Sequence, residues 1–321
     1  MVEISKFKKS ALAQLKGRKA IPFLAFLIVN LVNLLFNTIS ILFPSLTKTI
    51  PLLSLIESVV TIFLFFAAIK TIFILVKKNE PVTFSDYTSG FEHGFQPLLA
   101  NWWETLWLML WILIAFIPLI IYMIVTSETN LIGKLPLADD YTSALLYIKA
   151  LFSLIANASP VVWFTFAALF IVIILKSLQY EHIDFIISEN KKLSVTKALR
   201  FSIEFMKGNL LSGFLLKFSF IFFYVIVRSS NLLVFPLKTI MAAKYAKITS
   251  YAIYFILYAI FEVYYYTTWA NFYLDAKSKA IEKAKINAQE IYNSNQNYFN
   301  NNSVDFENPK EIEDLIDRLY Y

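Results

Sequence analysis

Residues 21–43 read IPFLAFLIVNLVNLLFNTISILF, 23 consecutive positions without a charged side chain. As an α-helix rising about 1.5 Å per residue, this run would be about 34 Å long, enough to cross a hydrocarbon core about 30 Å thick. Six cations precede it, Lys6, Lys8, Lys9, Lys16, Arg18 and Lys19, as they would in a secretion signal. A signal's apolar region is only about 7–15 residues long and ends at small side chains. The run is therefore expected to be a retained first membrane span.

The same pattern recurs along the chain, at Leu52–Val76, Leu98–Val125, Pro160–Leu178, Leu210–Val227 and Ile248–Trp269. Composition agrees: 58% of the 321 residues are hydrophobic and 16% charged, whereas soluble domains carry roughly 25% charged residues. Glycine, at 6 in the whole chain, is too scarce for the many turns of a membrane β-barrel. The expected fold is all-α, a polytopic membrane helical bundle of about six spans over residues 1–276, with a polar cytoplasmic tail over 277–321. With 0 cysteines, disulfides, thiolate metal sites and cysteine nucleophiles are excluded together.

Orientation follows from Lys and Arg. With the N-terminus inside, the segments on the cytoplasmic side hold 20 of the 29 cations and the external ones 7, so both termini are expected in the cytoplasm of a cell-membrane protein. The basic residues flank apolar spans, so the net charge of +6 points to membrane orientation and lipid head groups, not to nucleic acid. Arg228, Lys238, Lys244 and Lys247 fall outside in this scheme and run against the bias. Leu145–Ala158 is expected to be an external amphipathic helix, or else a partial span. After Ala276 a charged helical stretch should give way to the Asn-rich run Asn293–Asn302 and a short acidic helix at Glu311–Tyr321.

The chain also resembles itself. Residues 4–17, ISKFKKSALAQLKG, align without gaps with residues 195–208, VTKALRFSIEFMKG, and NEPVTFS at 79–85 aligns with NKKLSVT at 190–196. The matches link the segments before spans one, three and five. They suggest three repeats of an interfacial amphipathic helix plus a transmembrane hairpin. In the third copy Ser194 is a helix cap and Gly208 a stop, with Lys197, Arg200, Glu204 and Lys207 on one face and Leu199, Ile203 and Met206 on the other.

The stretch DFIISENKKLSVTKALRFSIEFMKGNLLSGFLLKFSF at 184–220, with NEPVTFSDYTSGFEHGF at 79–95, the basic N-terminal helix and the Trp-rich third span containing Pro118, resembles an uncharacterised bacterial integral membrane family. That family is catalogued as domain of unknown function 975, and the resemblance implies a multi-span protein without an assigned activity. Thr126–Pro160 and the polar tail depart from its pattern. A more distant similarity links the chain to the membrane domain of glycerophosphodiester phosphodiesterases, though residues 277–321 are too few for a phosphodiesterase catalytic domain.

Catalytic signatures are absent: no HExxH, Walker loop, dinucleotide glycine fingerprint or Gly-x-Ser-x-Gly elbow occurs. His93 lies near Asp86 and Glu92, and His182 near Glu181 and Asp184; solvated loop histidines are expected there, in preference to a metal site. No enzyme activity and no cofactor are expected. Charges within spans are costly and therefore informative. Glu57, Lys70, Glu104, Lys217 and Glu262 are of this kind. Tyr251, Tyr254, Tyr258, Glu262, Tyr265 and Trp269 share one helical stripe, Asn30, Asn33, Asn37 and Ser40 another, and Trp103, Trp107 and Trp111 a third. The candidate intramembrane polar site comprises Asn30, Asn33, Asn37, Glu57, Lys217, Tyr254, Tyr258 and Glu262, with Lys217 expected to pair with Glu262. These stripes fit interhelical hydrogen bonding. They also fit a small-solute or lipid transporter, the alternative to a non-enzymatic role in envelope organisation, lipid interaction or membrane-protein partnership.

Overall fold

The computed structural model describes residues 4–44, 52–126 and 160–294. The expected helix at Leu145–Ala158, nearly all of the Asn-rich run and the terminal helix at Glu311–Tyr321 lie outside the described residues. The described residues are helical and contain no strand. Among the described residues, six helical stretches are long and apolar enough to cross a membrane: Ala20–Leu42, Leu53–Lys78, Gln96–Pro118, Trp163–Glu189, Leu210–Leu237 and Ala243–Asn287.

In chain order the helices are α1 (Ile4–Leu15), α2 (Ala20–Leu42), α3 (Leu52–Lys78), α4 (Phe84–Thr88, continued by a 3-10 turn at Ser89–His93) and α5 (Gln96–Thr126). Then come α6 (Pro160–Tyr180), α7 (Ile183–Glu189), α8 (Val195–Met206), α9 (Leu210–Phe218), α10 (Ile221–Ser229) and α11 (Ala243–Ser294). They fall into two compact units, one of Met1–Asn101 with Glu181–Tyr321, the other Trp102–Tyr180.

In the first unit the centre is the C-terminal half of α3, where Phe66, Ala67, Ala68, Ile69, Ile72, Phe73, Leu75 and Val76 are all buried. A helix apolar all round belongs inside, and α2, α7 and α11 surround this one. In the second unit Trp103 and Trp107 meet edge to face at 6.4 Å, and the Lys176 ammonium lies over the Trp111 ring at 4.0 Å.

Two elements differ from expectation. The fifth span is interrupted at Ser219–Phe220: the Ser219 hydroxyl bonds the Leu216 carbonyl at 2.6 Å, and Phe220 N–H bonds Lys217 in a 3-10 step. The charged stretch expected after Ala276 is helical, but it is continuous with the sixth span, in one helix that reaches Ser294.

Short helices precede spans one, three and five. Each ends at a glycine in the left-handed region, Gly17 (φ 76°), Gly94 (φ 55°) and Gly208 (φ 84°), conformations that a Cβ disfavours. Thr83 begins α4 by accepting the Asp86 N–H, completing a capping box, and Ser194 begins α8 by accepting the Lys197 N–H. The expected apolar faces are present but lie against protein: Phe7, Ala11 and Leu15 of α1, and Ala198, Leu199 and Met206 of α8, are buried. Gly90 packs so closely on Ala67 that a Cβ there would stand 2.5 Å from the Ala67 Cα.

Polar bonds join the three segments into a collar. Arg18 donates to the Asn79 backbone oxygen and, at 2.8 Å, to its side-chain oxygen. Gln96 donates to the Lys191 and Leu193 carbonyls at 2.7 and 3.1 Å.

Candidate intramembrane polar site

Glu262 is 5% exposed on α11, and Asn30 is 1% exposed on α2. The Asn30 amide donates to the Glu262 carboxylate at 2.7 Å and to its own helix's Phe26 carbonyl at 2.9 Å, which fixes its orientation. Glu262 forms no ion pair among the described residues, so a neutral amide serves it at this depth.

The remaining candidates are distributed around this pair. Thr61 of α3 donates to the Asn33 side-chain oxygen at 3.1 Å, whereas Asn37 bonds its own helix at the Asn33 carbonyl. Glu57 is half-buried on α3, one turn before Thr61, and has no ion pair among the described residues. Tyr254 and Tyr258 stack at 5.4 Å, and Arg228 reaches the Tyr254 hydroxyl at 3.3 Å. Asn30 of the first-span stripe and Tyr254, Glu262, Tyr265 and Trp269 of the last-span stripe are buried, whereas Ser40, Trp103 and Trp107 are exposed; the two inward-facing stripes meet chiefly through Asn30 and Glu262.

Lys217 departs from expectation. It pairs with Glu181 at 2.6 Å, while Glu262 has the Asn30 amide as its partner. The expected pairing with Glu262 is not made, because Glu181 lies just beyond the expected end of span four and within reach of Lys217 on α9. Its second oxygen accepts the Tyr265 hydroxyl at 3.0 Å. Eight residues on, Glu189 accepts Tyr273 at 2.8 Å and both Lys77 and Lys277 at 2.7 Å. These two Glu–Tyr bonds tie the turn before α7 and the C-terminal end of α7 to α11, and Glu189 is not among the site residues expected from the sequence.

The two histidines are not solvated. His182 is fully buried among Trp269, Phe272 and Tyr273, with ring centroids 5.4–5.7 Å away. His93 is 6% exposed, edge-on to Phe66, with its Nε2 3.0 Å from the Lys70 ammonium. Burial first, and the Lys70 charge second, hold the His93 imidazole below its ordinary value. Among the described residues no cluster of three or more His, Asp or Glu side chains is arranged for a metal.

Apolar helices of crossing length around a buried, hydrogen-bonded polar pair define a multi-pass α-helical membrane protein. The family described as protein of unknown function (DUF975) matches residues 1–280, and the chain belongs to it. Neither the curated proteins nor the solved structures provide a match.

Proposed function

We propose that the chain is a non-enzymatic protein of the cell membrane, with both termini cytoplasmic, that works through lipids and membrane-protein partners in envelope organisation and does not bind nucleic acid. The collar is the observation that carries this. It ties together the segments before spans one, three and five, with the apolar faces of the first and third turned inward and Lys6, Lys9, Lys16, Lys192, Lys197 and Arg200 exposed outside.

The collar also favours a threefold repeat of short helix plus hairpin. Gly17 and Gly208 are aligned positions and both are left-handed; Thr83 and Ser194 are aligned and both are helix caps. Independent segments would not be required to share these roles.

A second reading, a small-solute or lipid transporter, is favoured by Glu262 alone: a buried intramembrane acid with an amide partner is a common element of transport paths. Purification in native lipid, with mass spectrometry of what co-purifies, separates the two when combined with uptake assays in proteoliposomes. Retained lipid or a membrane protein, without uptake, is expected. Saturable uptake lost in Glu262→Gln would replace the first reading with the second.

A further inference from the structure

We infer that the outward face of α1, formed by Lys6, Lys9 and Lys16, is a docking surface for the anionic head groups of phospholipids. This rests on the lipid-interaction reading above and gives it a place and a chemical class.

The geometry begins with how α1 meets α11. Phe7 packs edge-on against Phe272 at 5.4 Å, Ser10 donates to the Asn271 side-chain oxygen at 3.0 Å, and the Asn271 amide donates to Gln14 at 2.7 Å. Positions 7 to 14 extend about 10 Å along α1, yet their partners are adjacent residues of α11. The two helices therefore cross. Since α11 spans the membrane, α1 lies across the bundle, near the membrane plane.

Depth follows from the sequence. Asn271 comes two residues after the end of the apolar run Ile248–Trp269, and Gly17 turns the chain only three residues before α2 begins at Ala20. Both ends place α1 at head-group level. Because α11 continues to Ser294, α1 packs on its flank and not on its end. The side of α1 away from α11 thus faces outward into the head-group layer.

That side is cationic. Phe7, Ala11 and Leu15, every fourth residue, define the buried face, and helical spacing puts Lys6, Lys9 and Lys16 opposite it, exposed. No acidic residue occurs from Ile4 to Lys19, and none of the three lysines forms an ion pair among the described residues. Lys8 does not belong to the surface: it donates to the Ser219 carbonyl at the break in span five, at 3.1 Å, and lies 4.3 Å from the Phe220 ring centre. Leu12, 58% exposed, stands among the cations. An apolar side chain between lysines suits a lipid, with phosphate above and acyl chain below, better than a nucleic acid.

The test uses the full-length protein in nanodiscs of equal phosphatidylglycerol and phosphatidylcholine, released for native mass spectrometry. The wild type should retain phosphatidylglycerol preferentially, less so at high salt. Lys6→Gln/Lys9→Gln/Lys16→Gln should lower the ratio about tenfold, and the matching Arg variant should keep it. An unchanged ratio in the Gln variant, or an equal loss in the Arg variant, overturns the assignment to α1. If the Gln variant fails to fold, a wild-type ratio that is insensitive to salt overturns it. Displacement of the lipid preference by RNA added at equal charge would point to a nucleic-acid surface and also overturns it. No preference in the wild type defeats the broader lipid reading as well, which distinguishes the two failures.

Discussion

Asn30 and Glu262, 232 positions apart in sequence, meet at 2.7 Å inside the bundle, joining its first and last spans. Removing the amide leaves a buried carboxyl without a partner, which costs about 1–3 kcal/mol. Asn30→Leu should therefore lower the unfolding midpoint in detergent. Glu262→Gln, whose amide oxygen still accepts from Asn30, should lower it much less. Equal effects would mean that the pair does not hold these spans together.

Glu189 gathers Lys77, Lys277 and Tyr273 from two other helices, each within 2.8 Å, whereas Glu92 meets Lys191 at 3.8 Å with both side chains more than half exposed. Glu189→Ala should cost about 2–3 kcal/mol, because it strands partly buried donors. Glu92→Ala should cost no more than about 0.5 kcal/mol. Chemical denaturation of both variants checks the order; a reversal contradicts it.

Acid should weaken the contact between the second span and the collar. His93 has its folded-state pKa below the ordinary 6.5, through burial and then through Lys70, with Lys191 adding repulsion and Glu92 offsetting part of it. The unfolded chain then takes up a proton before the folded one does, so stability present above about pH 6.5 is lost as the pH falls through and below that value. His93→Gln should flatten this part of the stability profile. An identical slope in the variant would exclude His93 as its source.

Much of this architecture is legible in the sequence, since length and hydropathy determine the spans and cations determine their flanks. Side-chain partners are less so. The burial of His93 has a local signal, because Tyr87, Gly90 and His93 recur every third residue, the period of a 3-10 turn. His182 has one too: with Ile183, Ile186 and Ile187 it makes a helical stripe. Nearby acids suggested loops instead. The Glu181–Lys217 pair had no comparable signal, because depth counted along a helix does not reveal which neighbour it faces.

Glycines separate two kinds of constraint. Gly17, Gly94 and Gly208 have no atom within 4 Å of an added Cβ, so Ala at Gly17 or Gly208 should cost only the penalty of a positive φ, about 1 kcal/mol. At Gly90 a Cβ would strike the Ala67 backbone, so Gly90→Ala should be distinctly worse than Gly17→Ala in thermal unfolding. Comparable midpoints would contradict the close packing of the second collar segment on α3.

The most direct test of the collar is its sidedness. The chain has 0 cysteines, so single cysteines at the exposed positions Ser5, Ser85, Thr196 and Ile240 can each be challenged with an impermeant thiol reagent in intact cells. Ser5→Cys, Ser85→Cys and Thr196→Cys should react only after the cells are opened, and Ile240→Cys should react from outside. External labelling at any one of the three collar positions would show that these segments do not share the cytoplasmic face, and would contradict both the repeat and the collar.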